Sequence, residues 1–261
     1  MVEPAARIRA YKPSDEDDKL VRFVLGKAYM GLLGEANSSA YTHPFTVAAW
    51  VALSCFFIQV MEWWPDYERW GWLSFVKLLP AFACVAVPIM FLIDWNNRPA
   101  FEKLTQETMR KPDIYDLAAY YARSPSSGLW LLELGNTFVG LIAVDASLDS
   151  TTDLDLAKDA KPDYEKKGTS TVAIIRHFHV EEQFRKIDIQ DDLLEHALRK
   201  TFEGDEKVEK VRIVYCALAK YVDRALNKQG FRKVKESSVS GMTTVRFLES
   251  ELERSTWQKR A

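Results

Sequence analysis

The side chains best suited to chemistry lie together in "HFHVEEQFRKIDIQDD", residues 177–192. His177 and His179 are histidines, the side chains suited to taking a proton from an ammonium group. Their spacing places both on one face of a strand, opposite Arg176 and Phe178. Two cations follow, Arg185 and Lys186, and then an amphipathic helix from Ile189 with Leu193 and Leu194 on its apolar side. A strand, a short polar loop and a helix start, in that order, can hold a phosphate, because the first N–H groups of a helix lack intrahelical partners and its dipole favours an anion.

Such loops carry glycine where the backbone approaches the ligand closely. Here Asp188 and Gln190 stand in those places. Asp tolerates left-handed backbone better than most residues. Its carboxylate nevertheless repels a phosphate: two unit charges about 6 Å apart cost roughly 3 kcal/mol at an effective dielectric near 20. Asp191 and Asp192 suit a first helical turn but lower the local potential further, and Arg185 and Lys186 offset them. The expectation is a cradle present in outline and weakened in affinity.

Other candidates carry less. The His-x-His pair suggests no metal site, since spacing offers no third ligand. His196 falls on the helix after the loop, in a solvated or packing role. Cys55, Cys84 and Cys216 are widely spaced, with no CxxC pair and no disulfide framework, and Cys216 reads as a packing residue. A net charge of -2 gives no general signature for nucleic acid. The basic runs at 166–168, 185–187 and 231–235 read mainly as solvated faces; Lys233 and Lys235 could lean on a phosphate or on anionic lipid.

The elements that must position this stretch alternate between strand and helix. "ARIRAY" (6–11) reads as a strand, and "SDEDDKLVRFVLGKAYMGLL" (14–33) as a helix capped by Ser14. "DIYDLAAYYARS" (113–124) is helical. "LWLLEL" (129–134), "TFVGLIAVDA" (137–146) and "TVAIIRHFHV" (171–180) are strands, with Gly135-Asn136 as a turn. A helix at 189–202, a strand at 210–217, a helix at 219–229 capped by Gly230 and strands at 231–237 and 243–249 complete the pattern. The polar segment 149–170 reads as a mobile insertion.

Two apolar runs interrupt the alternation. Phe45–Met61 is uncharged and Trp72–Ile93 carries only Lys77; a membrane helix needs roughly 17–25 apolar residues. "EWWPDYERWG" between them is aromatic, as at a membrane interface. A membrane hairpin is the favoured reading and a buried hairpin of a soluble domain the alternative. Arg98, Lys103, Arg110 and Lys111 follow the hairpin, against Arg69 alone in the acidic turn, so both flanks are placed in the cytosol. The sequon "NSS" at Asn37 then stays unglycosylated.

This order of elements resembles the GNAT superfamily of acyl-CoA N-acyltransferases over Arg7 to Leu248. Val180 followed after five residues by Arg185, the apolar Ile189, Leu193 and Leu194, "ALNKQGF" (225–231) and "TFVGLIAV" carry the likeness. The inserted hairpin looks like that of membrane-anchored N-acetyltransferases related to vertebrate cysteine-conjugate acetyltransferases. The resemblance implies an α/β fold, a GNAT-like mixed central sheet flanked by helices, with an inserted two-helix transmembrane hairpin. The divisions are 1–42 for the N-terminal strand and helix, 43–94 for the hairpin, 95–248 for the rest of the domain and 249–261 for a C-terminal tail.

It also implies acetyl-CoA as a co-substrate, bound by Val180, Arg185, Lys186, Ile187, Asp188, Ile189, Gln190 and Asp191, with the Val180 N–H opposing the oxyanion. The acceptor would be a small-molecule or peptide amine. The protein would sit in an endomembrane such as the endoplasmic reticulum, with its soluble domain and both termini cytosolic. This sequence departs from the family at both loop glycines and at Leu226, where many members have the tyrosine that protonates the leaving thiolate. Histidines of relatives on this strand fall at even offsets from the valine, whereas His177 and His179 fall at odd ones; a bulge would reverse that parity. The loss of Gly, Gly and Tyr keeps a second reading open, a catalytically inactive, membrane-anchored binding or regulatory module.

Overall fold

A computed structural model describes residues 6–66, 68, 71–150, 164–239 and 245–260. Most of the segment read as an insertion, and Arg69 of the hairpin turn, lie outside the described residues. The chain divides into two compact units.

The first unit holds a seven-stranded sheet in the order β1-β2-β3-β4-β5-β7-β6. Its strands are β1 (Ala6–Ala10), β2 (Gly128–Leu134), β3 (Thr137–Ser147), β4 (Thr169–Val180), β5 (Lys210–Cys216), β6 (Arg232–Val239) and β7 (Val245–Glu253). Only β4 and β5 run parallel; every other neighbouring pair is antiparallel. This is the expected GNAT-like mixed sheet.

Helix α1 (Asp15–Tyr41) begins where Ser14 Oγ accepts the Asp17 N–H at 3.3 Å and acidic residues fill the first turn. Val21, Val24 and Leu25 of α1 pack with Leu129, Leu131, Leu141 and Ala143 on one sheet face. On the N-terminal side of β2, a 3-10 turn (Pro112–Ile114) and a short helix, α4 (Leu117–Tyr121), replace the single helix expected at 113–124. The break falls at Asp116, whose carboxylate turns back to cap the Ala119 N–H at 2.9 Å. Two further helices, α5 (Ile189–Gly204) and α6 (Lys220–Gln229), bury Leu193, Leu194, Ala197, Ala225 and Leu226. Gly230 ends α6 at φ 86, with Phe231 N–H donating to Leu226 O at 3.0 Å. The stretch read as a tail is structural: β7 runs on to Glu253, α7 (Arg254–Gln258) follows, and Trp257 lies 5.0 Å from the Phe202 ring. Arg254 anchors it by donating to the carbonyls of Phe202, Asp205 and Val208.

The second unit, within Met30–Lys103, contains the hairpin. Helix α2 (Pro44–Met61) is capped by His43, whose Nδ1 accepts the Phe45 N–H. A 3-10 segment (Gly71–Lys77) leads into α3 (Leu78–Met109). Trp50 Nε1 donates to Phe82 O at 3.0 Å, and the small, fully buried Ser54 and Ala81 let the helices approach. Two helical stretches, Pro44–Met61 and Gly71–Met109, are long and apolar enough to cross a membrane, with 11% and 6% of their apolar windows buried. Phe45, Phe56, Leu79, Phe91 and Trp95 are exposed. That exposure disfavours a soluble-core hairpin, which would bury those side chains.

Both flanking helices run further than the sequence suggests. Helix α1 continues past Leu33 to Tyr41, and α3 past Ile93 and through Pro99 to Met109. Asn37, a residue that often ends helices, instead donates to Asp94 at 2.8 Å and accepts from Asn97 at 2.8 Å.

In the first unit the most buried charges centre on Asp145. It accepts from Arg176 Nη2 at 3.0 Å, the Tyr120 hydroxyl at 3.0 Å and the Ser147 hydroxyl at 2.6 Å. Arg123 lies 3.7 Å away and stacks 3.9 Å over the Tyr120 ring. Asp145→Ala removes the carboxylate at the centre of a buried network, so a loss of about 3–5 kcal/mol is expected in urea unfolding of the full chain.

Candidate functional site

The end of β4 is held by β3 through Gly140, which faces Val180. A Cβ on Gly140 would lie 2.6 Å from His179 O and 2.8 Å from Val180 Cγ2, so only glycine fits. A bulge does occur in β4, between the pairs Val144↔Ile175 and Ala143↔His177, leaving Arg176 as the extra residue. It precedes both histidines. The pairing from His177 to Val180 is regular, so their odd offsets from the valine stand.

The two histidines differ sharply. His177 Nε2 lies 2.5 Å from Asp113 Oδ2, which also accepts the Tyr121 hydroxyl at 2.9 Å. Burial alone would raise the Asp113 carboxyl; His177, Lys111 and Arg176 outweigh it and hold the group below the usual carboxylate range. His177 is therefore committed to a structural pair. His179 is 5% exposed, and its Nε2 has no hydrogen-bond partner among the described residues. Glu181 Oε1 is 3.8 Å away, too far for a bond, and is taken by Lys27 at 2.7 Å. Burial pulls the His179 pKa down to about 4, with Arg185 and Lys27 adding to the fall and Glu181 opposing it. His196 packs edge-on against Trp130 at 6.0 Å.

A 3-10 turn, Glu182–Ile187, connects β4 to α5. Of the eight residues expected from the sequence, Arg185, Lys186 and Ile187 lie in this turn, Val180 ends β4, Asp188 is the N-cap of α5, and Ile189, Gln190 and Asp191 form its first turn; they face different ways. Ile187 is 64% exposed, Lys186 and Asp188 are exposed, and Val180, Ile189 and Gln190 are buried. Asp188 takes the left-handed conformation (φ 58, ψ 20) that a glycine would supply. It sits at the N-cap position without capping. Its carboxylate turns instead to Lys228 Nζ of α6 at 3.0 Å, and Asp191 meets the same ammonium at 2.6 Å. Lys228 holds the Asp188 carboxyl below its ordinary pKa. Gln190 laces the loop together: Nε2 donates to Asp188 Oδ1 at 3.2 Å and reaches Arg185 O at 3.5 Å, while Oε1 is buried without a partner among the described residues.

Arg185 points toward the strand. Its Nε donates to Val180 O at 2.8 Å, and its guanidinium stacks 4.3 Å over Tyr221 of α6. Leu226, in the family's tyrosine position, is buried in the helix packing. Cys216 is 3% exposed, and burial raises its thiol pKa, which suits packing and not nucleophilic attack. Tyr29 of α1 lies among Cys216, Tyr221 and Thr108, and burial pushes its hydroxyl up to about 12.

Sequence reasoning missed Lys228, Glu181, Lys27, Tyr29 and Asp113. Lys228 alone left a trace: with Arg224 it makes a basic i, i+4 edge on a helix, matching the acidic first turn of α5.

No family profile matches the chain, and no curated protein matches it. Among solved structures the neighbours are GNAT-family acetyltransferases. One, from Streptococcus pneumoniae, is 10% identical with a TM-score of 0.40, covering 51% of this chain and 70% of that one. An IAA acetyltransferase from Bacillus cereus is 13% identical with a TM-score of 0.36, covering 52% of this chain and 82% of its own. Arabidopsis thaliana NAA60, in complex with acetyl-CoA, is 17% identical with a TM-score of 0.36, covering 48% and 76%. At these values the likeness concerns the outline of the fold and says nothing of chemistry.

Because His179 is neutral when folded and its folded pKa lies below the unfolded value near 6.5, the unfolded chain binds the extra proton between those values. Its contribution is complete above about pH 6.5 and is lost as the pH falls toward 4. The loss amounts to roughly 2–4 kcal/mol. His179→Gln should flatten that part of the stability curve, measured by urea unfolding at pH 5 and 7.5. An unchanged acid slope would show that His179 is not the buried titrating group.

Proposed function

We propose that the chain is a membrane-anchored, acyl-CoA-dependent N-acyltransferase, an N-acetyltransferase in its simplest form, acting on an amine. The observation that carries this reading is the parting of β4 from β5. The two strands pair only from Val172↔Lys210 to Ile175↔Ile213, and both run on beyond that point. The gap opens beside the loop and the start of α5, where uncapped helix N–H groups favour a phosphate.

Fit to the co-substrate turns on the loop carboxylates. Left-handed Asp188 reproduces the backbone path of a glycine, and Lys228 neutralises the charge that glycine would not bring. The acceptor nitrogen attacks the thioester carbonyl carbon; the C–N bond forms, the C–S bond breaks and the thiolate leaves with coenzyme A. The Val180 N–H is the candidate donor to the oxyanion. His179, buried at an odd offset and with its pKa pulled down to about 4, is a poor base, so solvent takes the ammonium proton. Water protonates the thiolate in place of the tyrosine that Leu226 displaces. Anchoring follows from the two apolar helices, with the catalytic unit on the cytosolic side of an endomembrane by the positive-inside bias.

One observation favours the second reading, a binding or regulatory module without catalysis. Gln190 ties the loop across its own span, and Arg185 is spent on the strand instead of facing an anion.

Titration calorimetry with coenzyme A at low salt separates the two. Wild type should bind; Lys228→Met, which frees two carboxylates beside the loop, should weaken binding a few-fold. Asp188→Gly should tighten it by up to about tenfold, since it removes a like charge and a left-handed non-glycine residue. Absence of heat from all three proteins sinks the enzyme reading and leaves the module. Separately, the full chain should resist alkaline carbonate extraction from membranes; release into the supernatant would overturn the anchor.

A further inference from the structure

Among the described residues, the last residues of β4 have no strand neighbour on one side. Glu181 N–H closes on Val139 O at 2.8 Å, so the alternation of the antiparallel ladder turns the peptide groups of Phe178 and Val180 away from β3 and into the gap. Buried backbone groups rarely stay unpaired. Here two side chains pair them. Val180 O accepts from Arg185 Nε at 2.8 Å, and Phe178 O faces the Tyr221 hydroxyl at 3.5 Å. The same hydroxyl is near enough to the Val180 N–H to be influenced by it. Arg185 stacks on the Tyr221 ring, the Phe178 ring lies 6.4 Å from it, and Tyr221 is only 6% exposed.

We infer that Tyr221 and Arg185 form a built-in cap on the open edge of β4 and thereby set the affinity for acyl-CoA. An open strand edge recognises an extended chain carrying amide groups, and the arm of coenzyme A is such a chain. To pair with β4 it has to take over the groups that Tyr221 and Arg185 hold. The inference rests on the acyl-CoA reading above. The two contacts are unequal. At 3.5 Å the Tyr221 bond is at the long limit, whereas Arg185 makes a short, well-formed one. Tyr221 is therefore the first of the two to open. The sequence offers Tyr221 no role because it stands far from the late glycine; the fold brings it to the strand.

Two substitutions keep ring or charge while removing the cap. Tyr221→Phe loses only the hydroxyl, and Arg185→Lys loses the planar Nε donor and the stacking. Amide exchange at Val180, followed by NMR on the full chain in detergent without ligand, reports the cap itself. Coenzyme A titration reports its consequence. Tyr221→Phe should speed Val180 exchange about tenfold and tighten coenzyme A binding about three- to tenfold, the worth of one modest hydrogen bond. Arg185→Lys should also tighten binding; a weaker complex would mean that Arg185 serves the phosphates, and would overturn its part in the cap. Unchanged Val180 exchange in Tyr221→Phe overturns the proposal outright, as does faster exchange with unchanged or weaker binding. Faster exchange with no coenzyme A binding by any protein, wild type included, removes acyl-CoA as the occupant and fails the acyl-CoA reading as well, while leaving the hydrogen bond itself established.

Discussion

The need to satisfy the free edge of β4 organises this site. A parallel pair that separates after four residues leaves peptide groups facing a gap, and an unpaired buried peptide group costs about as much as the hydrogen bond it forgoes. Each neighbouring feature answers that need or follows from it. Gly140 lets β3 come close enough to hold the strand end from the other side. Arg185 folds back from the loop onto Val180 O, and that return fixes the 3-10 turn that follows. Tyr221 reaches across from α6, which ties the position of that helix to the strand.

Charge is handled by the same economy of local pairing. The first turn of α5 and its N-cap carry Asp188, Asp191 and Asp192, which favour the helix dipole but oppose an anionic ligand. Lys228 answers two of these carboxylates from a different helix. Since both partners are about half exposed, the pair adds little to stability. Its effect is on the field at the loop, where it brings a carboxylate-bearing turn near the electrostatics of a glycine one. Asp188 thus replaces glycine in backbone shape by its own conformation and in charge only through a partner.

Periodic elements were legible in the sequence, and their ends were not. Every strand of the sheet, and the left-handed caps at Gly135 and Gly230, follow from alternation and turn residues. Helices α1 and α3 outrun the expected ends at Leu33 and Ile93; the bonds of Asn37 to Asp94 and Asn97 exist only once the helices meet. The same holds in the site. The loop residues were legible as a contiguous stretch. The partners that decide their behaviour are remote: Lys228 is 40 residues from Asp188, and Asp113 is 64 from His177. A bulge was foreseen as a way to reverse the histidines, but its position, set by Arg176 reaching Asp145, was not.

The two functional readings part over what the substitutions achieve together. A loop merely released from a task would be expected to lose its shape first, since left-handed backbone at a non-glycine residue is unfavourable without a reason to keep it. Here the shape is kept at Asp188, and its charge is met by Lys228. Gln190 weighs the other way: it ties the loop across its own span, and its Oε1, buried and unpaired among the described residues, is an acceptor with nothing to donate to an anion. Retained backbone shape and compensated charge are what an anion loop on altered residues requires. On that balance the loop favours the acyltransferase over the inert module, with the closed edge of β4 as the reason its ligand would be held less tightly than an open one allows.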